Sequence, residues 1–554
     1  MTDSFNVADL LEQSASRRPD SLAVAMPSGK RGAGREYEET TFKQLHQQSD
    51  QLAEGLRRIG VEPGMRIVLM VPYSTNFIRW VFALLKSGAV MVLVDPGMGR
   101  RNMIRCLQDI DPQGFVGISP AQAIRCLLRS RFPNARFNVT VGRRWFWGGM
   151  TQRQLSRQVV DDCESFRAKA DDQAAVIFTT GSTGPAKGVS YLHGNFYQQV
   201  KQIQARYQIQ EGDVDLPAFP LFGLFNGAMG VTSIIPAMDP SRPAEVDPRE
   251  IIEPIQQWNV NQAFGSPALW DRVGLYCEEN KVMLPSLRCV LSAGAPVPLR
   301  VLKRITSVIA SDGEMFTPYG ATEALPIASI GSSEVIEQTA ALTEQGKGTC
   351  VGRRFDGIEW KVIRIRDDVI QRLDEIQELP VGEIGELIVQ GPVVTASYVN
   401  LPEQTALHKI SDGGRFWHRM GDVGYLDDEQ RFWFCGRKSQ RVVTGNQTLF
   451  TVPCEAVLNR HPRVYRSALV AVGSAASPRV AMIVELWPDK GCDGRAEQQE
   501  LCEELLKLAQ ADPLTELVEQ VLLHPSLPVD IRHNTKIFRE KLATWAESRM
   551  VQGS

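Results

Sequence analysis

A chain of 554 residues exceeds what one ordinary hydrophobic core supports, so two or more domains are expected. With 43% hydrophobic and 23% charged residues and a formal net charge of −3, it has the make-up of a soluble globular protein and lacks the basic excess of a nucleic-acid binder. Ten cysteines without C-x-x-C spacing speak against zinc and disulfide frameworks, and the N-terminus shows no signal peptide, so a reducing, cytoplasmic setting is expected.

In chain order, RIVLMVPYS (66–74) reads as a strand, NFIRWVFALLKSG as a helix ending at Gly88, and AVMVLVDP (89–96) as another strand. A glycine at the helix exit between two strands predicts a βαβ unit and a mainly parallel sheet. This is the most apolar region, but Arg79, Lys86, Ser87 and Gly88 interrupt it, which excludes a membrane span. AAVIFTT (174–180), RCVLSAG (288–294) and EMFTPYG (314–320) are further short strands, each running into small residues. Ligands of open α/β sheets collect where strands end in such loops. GEIGELIVQGPVV (382–394) reads as antiparallel strand, and 421–437 as a hairpin around Asp427-Asp428-Glu429. After Arg437 a small α+β pattern follows. ALVAVGS and VAMIVELW are strands, and ELCEELLKLAQ and FREKLATWAES are helices. A domain boundary is therefore expected near Lys438-Ser439-Gln440, dividing the chain into 1–437 and 438–554.

The segment Thr179-Thr180-Gly181-Ser182-Thr183-Gly184-Pro185-Ala186-Lys187-Gly188 carries the most chemistry. Three glycines let backbone N–H groups approach an anion, four hydroxyls donate further bonds, and Lys187 adds positive charge. It is not a Walker A loop, because Gly188 and not Ser or Thr follows the lysine. Its composition fits a phosphate cradle and equally a flexible surface loop.

TTGSTGPAKGV nevertheless resembles the phosphate loop of the adenylate-forming superfamily, which holds acyl-CoA synthetases, luciferases and adenylation domains. The same motif order continues in LSAGAP (291–296), YGATE (319–323), HRMGDVGYLD (418–427), GRKSQRVVTGNQ (436–447) and NTKIFREKL (534–542). The resemblance implies a large α/β N-terminal domain with parallel-rich sheets and a β-barrel-like part, followed by a small mobile α+β domain. It implies ATP and Mg²⁺ as cofactors. Residues 179–184 and Lys187 would hold phosphate, and Gly294, Ala295, Pro296, Gly320 and Ala321 would border adenine, against which Tyr319 would lie. Thr322 would contact the α-phosphate, while Glu323 and Thr183 would ligate magnesium, a hard cation that takes oxygen donors. Asp422 would accept both ribose hydroxyls and Arg437 would neighbour ribose and phosphate. Lys536 would bridge the attacking carboxylate and the α-phosphate, stabilising charge that develops in the transition state.

Four positions depart from the usual pattern: Gly223 where many acyl-CoA synthetases carry histidine, Ser397 where glycine precedes a tyrosine, Ser439 at the hinge, and Asn534-Thr535 before the lysine. His193 and His418 flank motifs, but hydrogen-bonded structural roles are expected of both. Within the superfamily the chain looks most similar to the β-lactone synthetases of bacterial long-chain olefin biosynthesis. That likeness implies a 2-alkyl-3-hydroxyalkanoic acid substrate and no use of coenzyme A. A thiolase-like enzyme, a reductase and a β-lactone decarboxylase would be its pathway partners. A medium- or long-chain acyl-CoA synthetase is the alternative, and a non-catalytic adenylate-binding scaffold is a third reading.

Overall fold

The computed structural model describes residues 4–29, 35–157, 164–179, 186–220, 223–445, 447–474, 478–529 and 537–550. The βαβ reading is realised at its centre. Ser74 accepts from the Phe77 N–H to start helix Thr75–Ser87, and Gly88 ends it at φ 74°. The helix lies between the parallel strands Arg66–Met70 and Val90–Val94, with Trp80 and Phe82 fully buried. Five further strands complete a seven-stranded sheet, whose last pair, Gln173–Thr179 and Lys187–Leu192, is antiparallel. That pair brackets the glycine-rich segment, so both ends of the loop are fixed by a ladder.

A nine-stranded sheet packs beside it. Its central strands Val214–Pro217, Gln262–Gly265, Cys289–Ser292 and Glu314–Ala321 run parallel, so their C-terminal ends share one edge. LSAGAP and YGATE leave adjacent strands at that edge. Residues 349–437 form a curled antiparallel sheet in which Arg415–Leu426 pairs Phe432–Arg437 and turns through Asp427–Arg431. The C-terminal part holds strands Val464–Val472, Arg479–Leu486 and Gln520–Leu523, backed by helices Thr451–Asn459, Arg495–Gln510 and Arg539–Met550. Among the described residues no helix is long and apolar enough to cross a membrane.

The passage from the curled sheet to the C-terminal part is tethered on both sides. Glu386, fully buried, accepts from Lys438 at 3.1 Å and from Arg419 at 2.6 Å. Three residues on, Arg441 meets the exposed Asp367 at 2.5 Å. Ser439 lies between, in the short 3₁₀ turn Lys438–Gln440. Farther off, the Arg300 guanidinium sits 5.6 Å from the Tyr465 ring and 5.7 Å from the Trp487 ring.

Candidate functional site

In YGATE, Ala321 pairs with Ala324, so Thr322 and Glu323 are the two turn residues of a β-hairpin. Such a turn lifts both side chains clear of the ladder. Gly320 must be glycine: a Cβ there would stand 2.6 Å from the Ala324 carbonyl oxygen. The hairpin is held from the other sheet, since the Tyr191 hydroxyl donates to the Thr322 carbonyl at 2.6 Å. Thr395, from the segment leading to Tyr398, donates its N–H and hydroxyl to the Glu323 carbonyl. Strand Lys187–Leu192 pairs with that segment too, through Val189 and Tyr398. Two sheets and the 391–399 segment thus converge on one turn.

Three charged groups stand around it. Asp422 is 4% exposed, accepts from the Tyr319 hydroxyl at 2.5 Å on one oxygen, and meets Arg437 at 2.6 Å on the other. Asp422 drives the Arg437 guanidinium upward in pKa, and burial raises the Tyr319 phenol. Glu323 accepts from the Tyr398 hydroxyl at 2.8 Å, and its second oxygen has no hydrogen bond among the described residues. Lys187 lies 5.0 Å above the Tyr398 ring and 3.1 Å from His408 Nε2. Burial lowers its pKa, opposed by the attraction of Glu323. Burial and then Lys187 hold His408 neutral, near a pKa of about 3, so its Nε2 is free to accept the lysine proton's hydrogen bond.

Of the residues expected from sequence, the structure brings Tyr319, Asp422 and Arg437 into one hydrogen-bonded group. It brings Lys187 and Glu323 together through Tyr398. Gly294, Ala295 and Pro296 leave the strand next to Tyr319, with Gly294 at φ 94°. Thr180, Gly181, Ser182, Thr183, Gly184, the Thr179 side chain and Lys536 lie outside the described residues. Tyr398, Tyr191, Thr395, His408 and Lys409 are site residues to which sequence reasoning gave no role, although Thr395 and Tyr398 lie in the VVTASYVN segment around Ser397. Lys409 donates to the Thr395 carbonyl, and burial brings its pKa down to about 7. His193 and His418 are buried, and the hydrogen bonding expected of His193 is not found among the described residues. Neither of its ring nitrogens has a partner among the described residues, and burial keeps it neutral with a pKa near about 4. His418 meets the His408 backbone, and its Nδ1 has no partner among the described residues.

The donor set fits a nucleotide. A buried carboxylate with two in-plane acceptor oxygens suits a vicinal diol, and Arg437 beside it suits phosphate. Among the described residues no three His, Cys, Asp or Glu side chains cluster for a metal. Glu323 alone fits Mg²⁺, which characteristically takes one or two carboxylates and completes its shell with phosphate oxygens and water.

Gly223 follows from packing. A Cβ there would lie 2.5 Å from the Tyr73 hydroxyl and 2.6 Å from Pro217 Cγ, so the histidine of many relatives has no room. Gly223→Ala is expected to cost about 1–3 kcal/mol through overpacking. Thermal unfolding checks this, and an unchanged midpoint would show that Tyr73 yields freely.

A family model described as "AMP-binding enzyme" matches residues 11–399. The olefin β-lactone synthetase of Xanthomonas campestris pv. campestris is 43% identical over 559 residues, covering 100% of this chain and 99% of that protein. The olefin β-lactone synthetase of Stenotrophomonas maltophilia is 44% identical over 560 residues and covers 99% of each. Among solved structures, the amide bond synthetase McbA from Marinactinospora thermotolerans superimposes with a TM-score of 0.79 at 21% identity, covering 98% of this chain and 99% of that one.

Proposed function

The chain belongs to the AMP-binding enzymes, an adenylate-forming family, and from that premise we propose that it is a β-lactone synthetase. It joins a 2-alkyl-3-hydroxyalkanoic acid to the AMP part of ATP, with loss of pyrophosphate. The substrate's own 3-hydroxyl then closes on the activated carbonyl, and AMP leaves. The observation that carries this reading is the likeness, end to end, to two olefin β-lactone synthetases.

Asp422 orients the nucleotide by accepting from its ribose hydroxyls, with Arg437 next to it. Tyr319 lies against adenine, beside Gly294, Ala295, Pro296, Gly320 and Ala321. The hydroxyl- and glycine-rich segment 179–184 and Lys187 receive the phosphates. Thr322 meets the α-phosphate. Glu323 and Thr183 would hold magnesium, which would offset part of the charge of the triphosphate. Lys536, carried by a C-terminal domain of residues 438–554, places positive charge between carboxylate and α-phosphate. A tethered nucleophile needs no second substrate, so coenzyme A has no part in the cycle. The hydroxy acid and the lactone place the enzyme between a thiolase-like condensation followed by ketone reduction, and a decarboxylase. The nine described cysteines are all unpaired, which supports a cytoplasmic setting.

With ATP, Mg²⁺ and a 2-alkyl-3-hydroxy acid, and without coenzyme A, the product's mass should equal that of the acid less one water. Intramolecular attack can reach effective molarities of about 10⁵–10⁸ M, part of which offsets four-membered ring strain. The 2-alkyl acid lacking the hydroxyl should be adenylated and then stall. Rapid conversion of that deoxy acid to a thioester on adding coenzyme A would replace this reading with an acyl-CoA synthetase.

A further inference from the structure

Residues 112–157 contain eight arginines and no lysine, aspartate or glutamate, in a chain whose formal net charge is −3. Arg129, Arg131, Arg136, Arg143, Arg144, Arg153 and Arg157 are exposed and Arg125 is half-buried. None of the eight has an ion-pair partner among the described residues; those that bond do so to amide or backbone oxygens, as Arg125 does to Gln122 and Arg144 to Gly149. The stretch forms the end of the seven-stranded sheet opposite the strand pair Gln173–Thr179 and Lys187–Leu192 that carries Lys187.

The same stretch carries the most exposed apolar side chains of the described protein: Leu127 at 79%, Phe146 at 75% and Trp145 at 58%. Topology gathers Trp145 and Phe146 with Arg143, Arg144, Arg153 and Arg157 at one end of the strands, and Leu127 lies toward their other end. Strands Gly114–Ile118, Phe137–Val141 and Met150–Thr151 are successive parallel neighbours at the end of the seven-stranded sheet. Right-handed crossovers in one direction place helix Ser119–Leu127 and loop 142–149 on the same face. The Ser119 hydroxyl donates to the Arg143 carbonyl and joins the two. The aromatic pair is not loose. Trp147 is buried and donates to the Thr140 hydroxyl at 2.9 Å, and the Trp145 and Phe146 rings lie 5.6 and 5.2 Å from it. Beside them Arg143, Arg144, Arg153 and Arg157, with Thr151 and Gln154, surround an open hollow of about 330 Å³.

We propose that this face docks on the surface of an anionic phospholipid bilayer, with Trp145 and Phe146 in the headgroup region and the arginines on lipid phosphates. Charge complementarity selects that occupant. Arginines of one sign around the Trp145–Phe146 pair match the uniform negative potential of a bilayer, where each arginine acts independently of register. Amphipathic aromatics beside arginine suit the membrane–water interface, and neither device crosses it. A protein partner would require matched positions of both signs to fix its orientation. The proposal does not depend on what acid the enzyme activates.

The test is co-sedimentation of the full chain, without substrate, with vesicles of phosphatidylglycerol and phosphatidylethanolamine and with vesicles of phosphatidylcholine alone. The protein should pellet with the anionic vesicles, should stay in solution with the neutral ones, and should be released by high salt. Arg143→Gln with Arg144→Gln should weaken binding about fivefold per arginine, some 25-fold together. Trp145→Ser with Phe146→Ser should weaken it and leave the salt dependence unchanged. Equal sedimentation with both lipids, or none with either, overturns the proposal whether or not any variant folds. Binding undiminished in the arginine variant overturns it as well. Retention on immobilised polyglutamate without vesicle binding overturns it in favour of an acidic protein partner.

Discussion

Lys536→Ala should fold as the parent does and form adenylate about 10²–10³-fold more slowly, by analogy with loss of one preorganised donor at a developing charge. Folding should survive because its neighbours hold the local chain. Ile537 is 7% exposed, pairs with Val529, and packs in a core with Leu542 and Ala546. Arg539 meets Glu455 at 2.6 Å. On the proposed role the lost group is a charge that acts on the reacting atoms, so the deficit belongs in kcat and not in ATP affinity. ATP–pyrophosphate exchange measures it directly. An exchange rate equal to the parent's would remove Lys536 from the mechanism.

Asp422→Ala should raise the ATP KM at least tenfold. Each hydrogen bond to a charged group contributes about 1.5–3 kcal/mol, and two ribose hydroxyls lose their acceptor. A second cost arises in the free protein. Tyr319 and Arg437 both lean on this carboxylate, so its removal leaves a phenol hydroxyl and a guanidinium without their partner. The substitution therefore also disturbs the surface on which adenine would rest. Nucleotide affinity by calorimetry separates this from a defect in chemistry. An unaltered dissociation constant would show that Asp422 serves only Tyr319 and Arg437.

Much of this site could be read from the chain because its parts are local. Thr322 and Glu323 are the turn of a hairpin whose glycine is sterically required, and a turn is written in consecutive residues. The βαβ unit was legible for the same reason, since Gly88 acts at the helix end it caps, while Ser74, read as strand, caps the helix start instead. What escaped are contacts made only by the assembled fold. Tyr398 reaches Glu323 across 75 residues, and Lys187 finds His408 across 221. Nothing in the neighbourhood of His408 or Lys409 distinguishes them from surface residues of a short helix. His193 was misjudged in a subtler way. A hydrogen-bonded role was expected, whereas this buried, neutral imidazole has no partner for either nitrogen among the described residues.

The two tethers around Ser439 act in series, and they are unequal. Lys438 is bound to a carboxylate with no access to solvent, whereas Arg441 holds an aspartate whose side chain is 68% exposed. Mobile ions reach the second and scarcely the first. Raising ionic strength therefore loosens only the outer restraint and leaves the inner one anchored to the curled sheet. Any swing of the chain beyond residue 441 then pivots from a fixed root at Lys438, with Ser439 and Gln440 as the whole length of the axle. Of the two ion pairs, then, salt weakens the outer one.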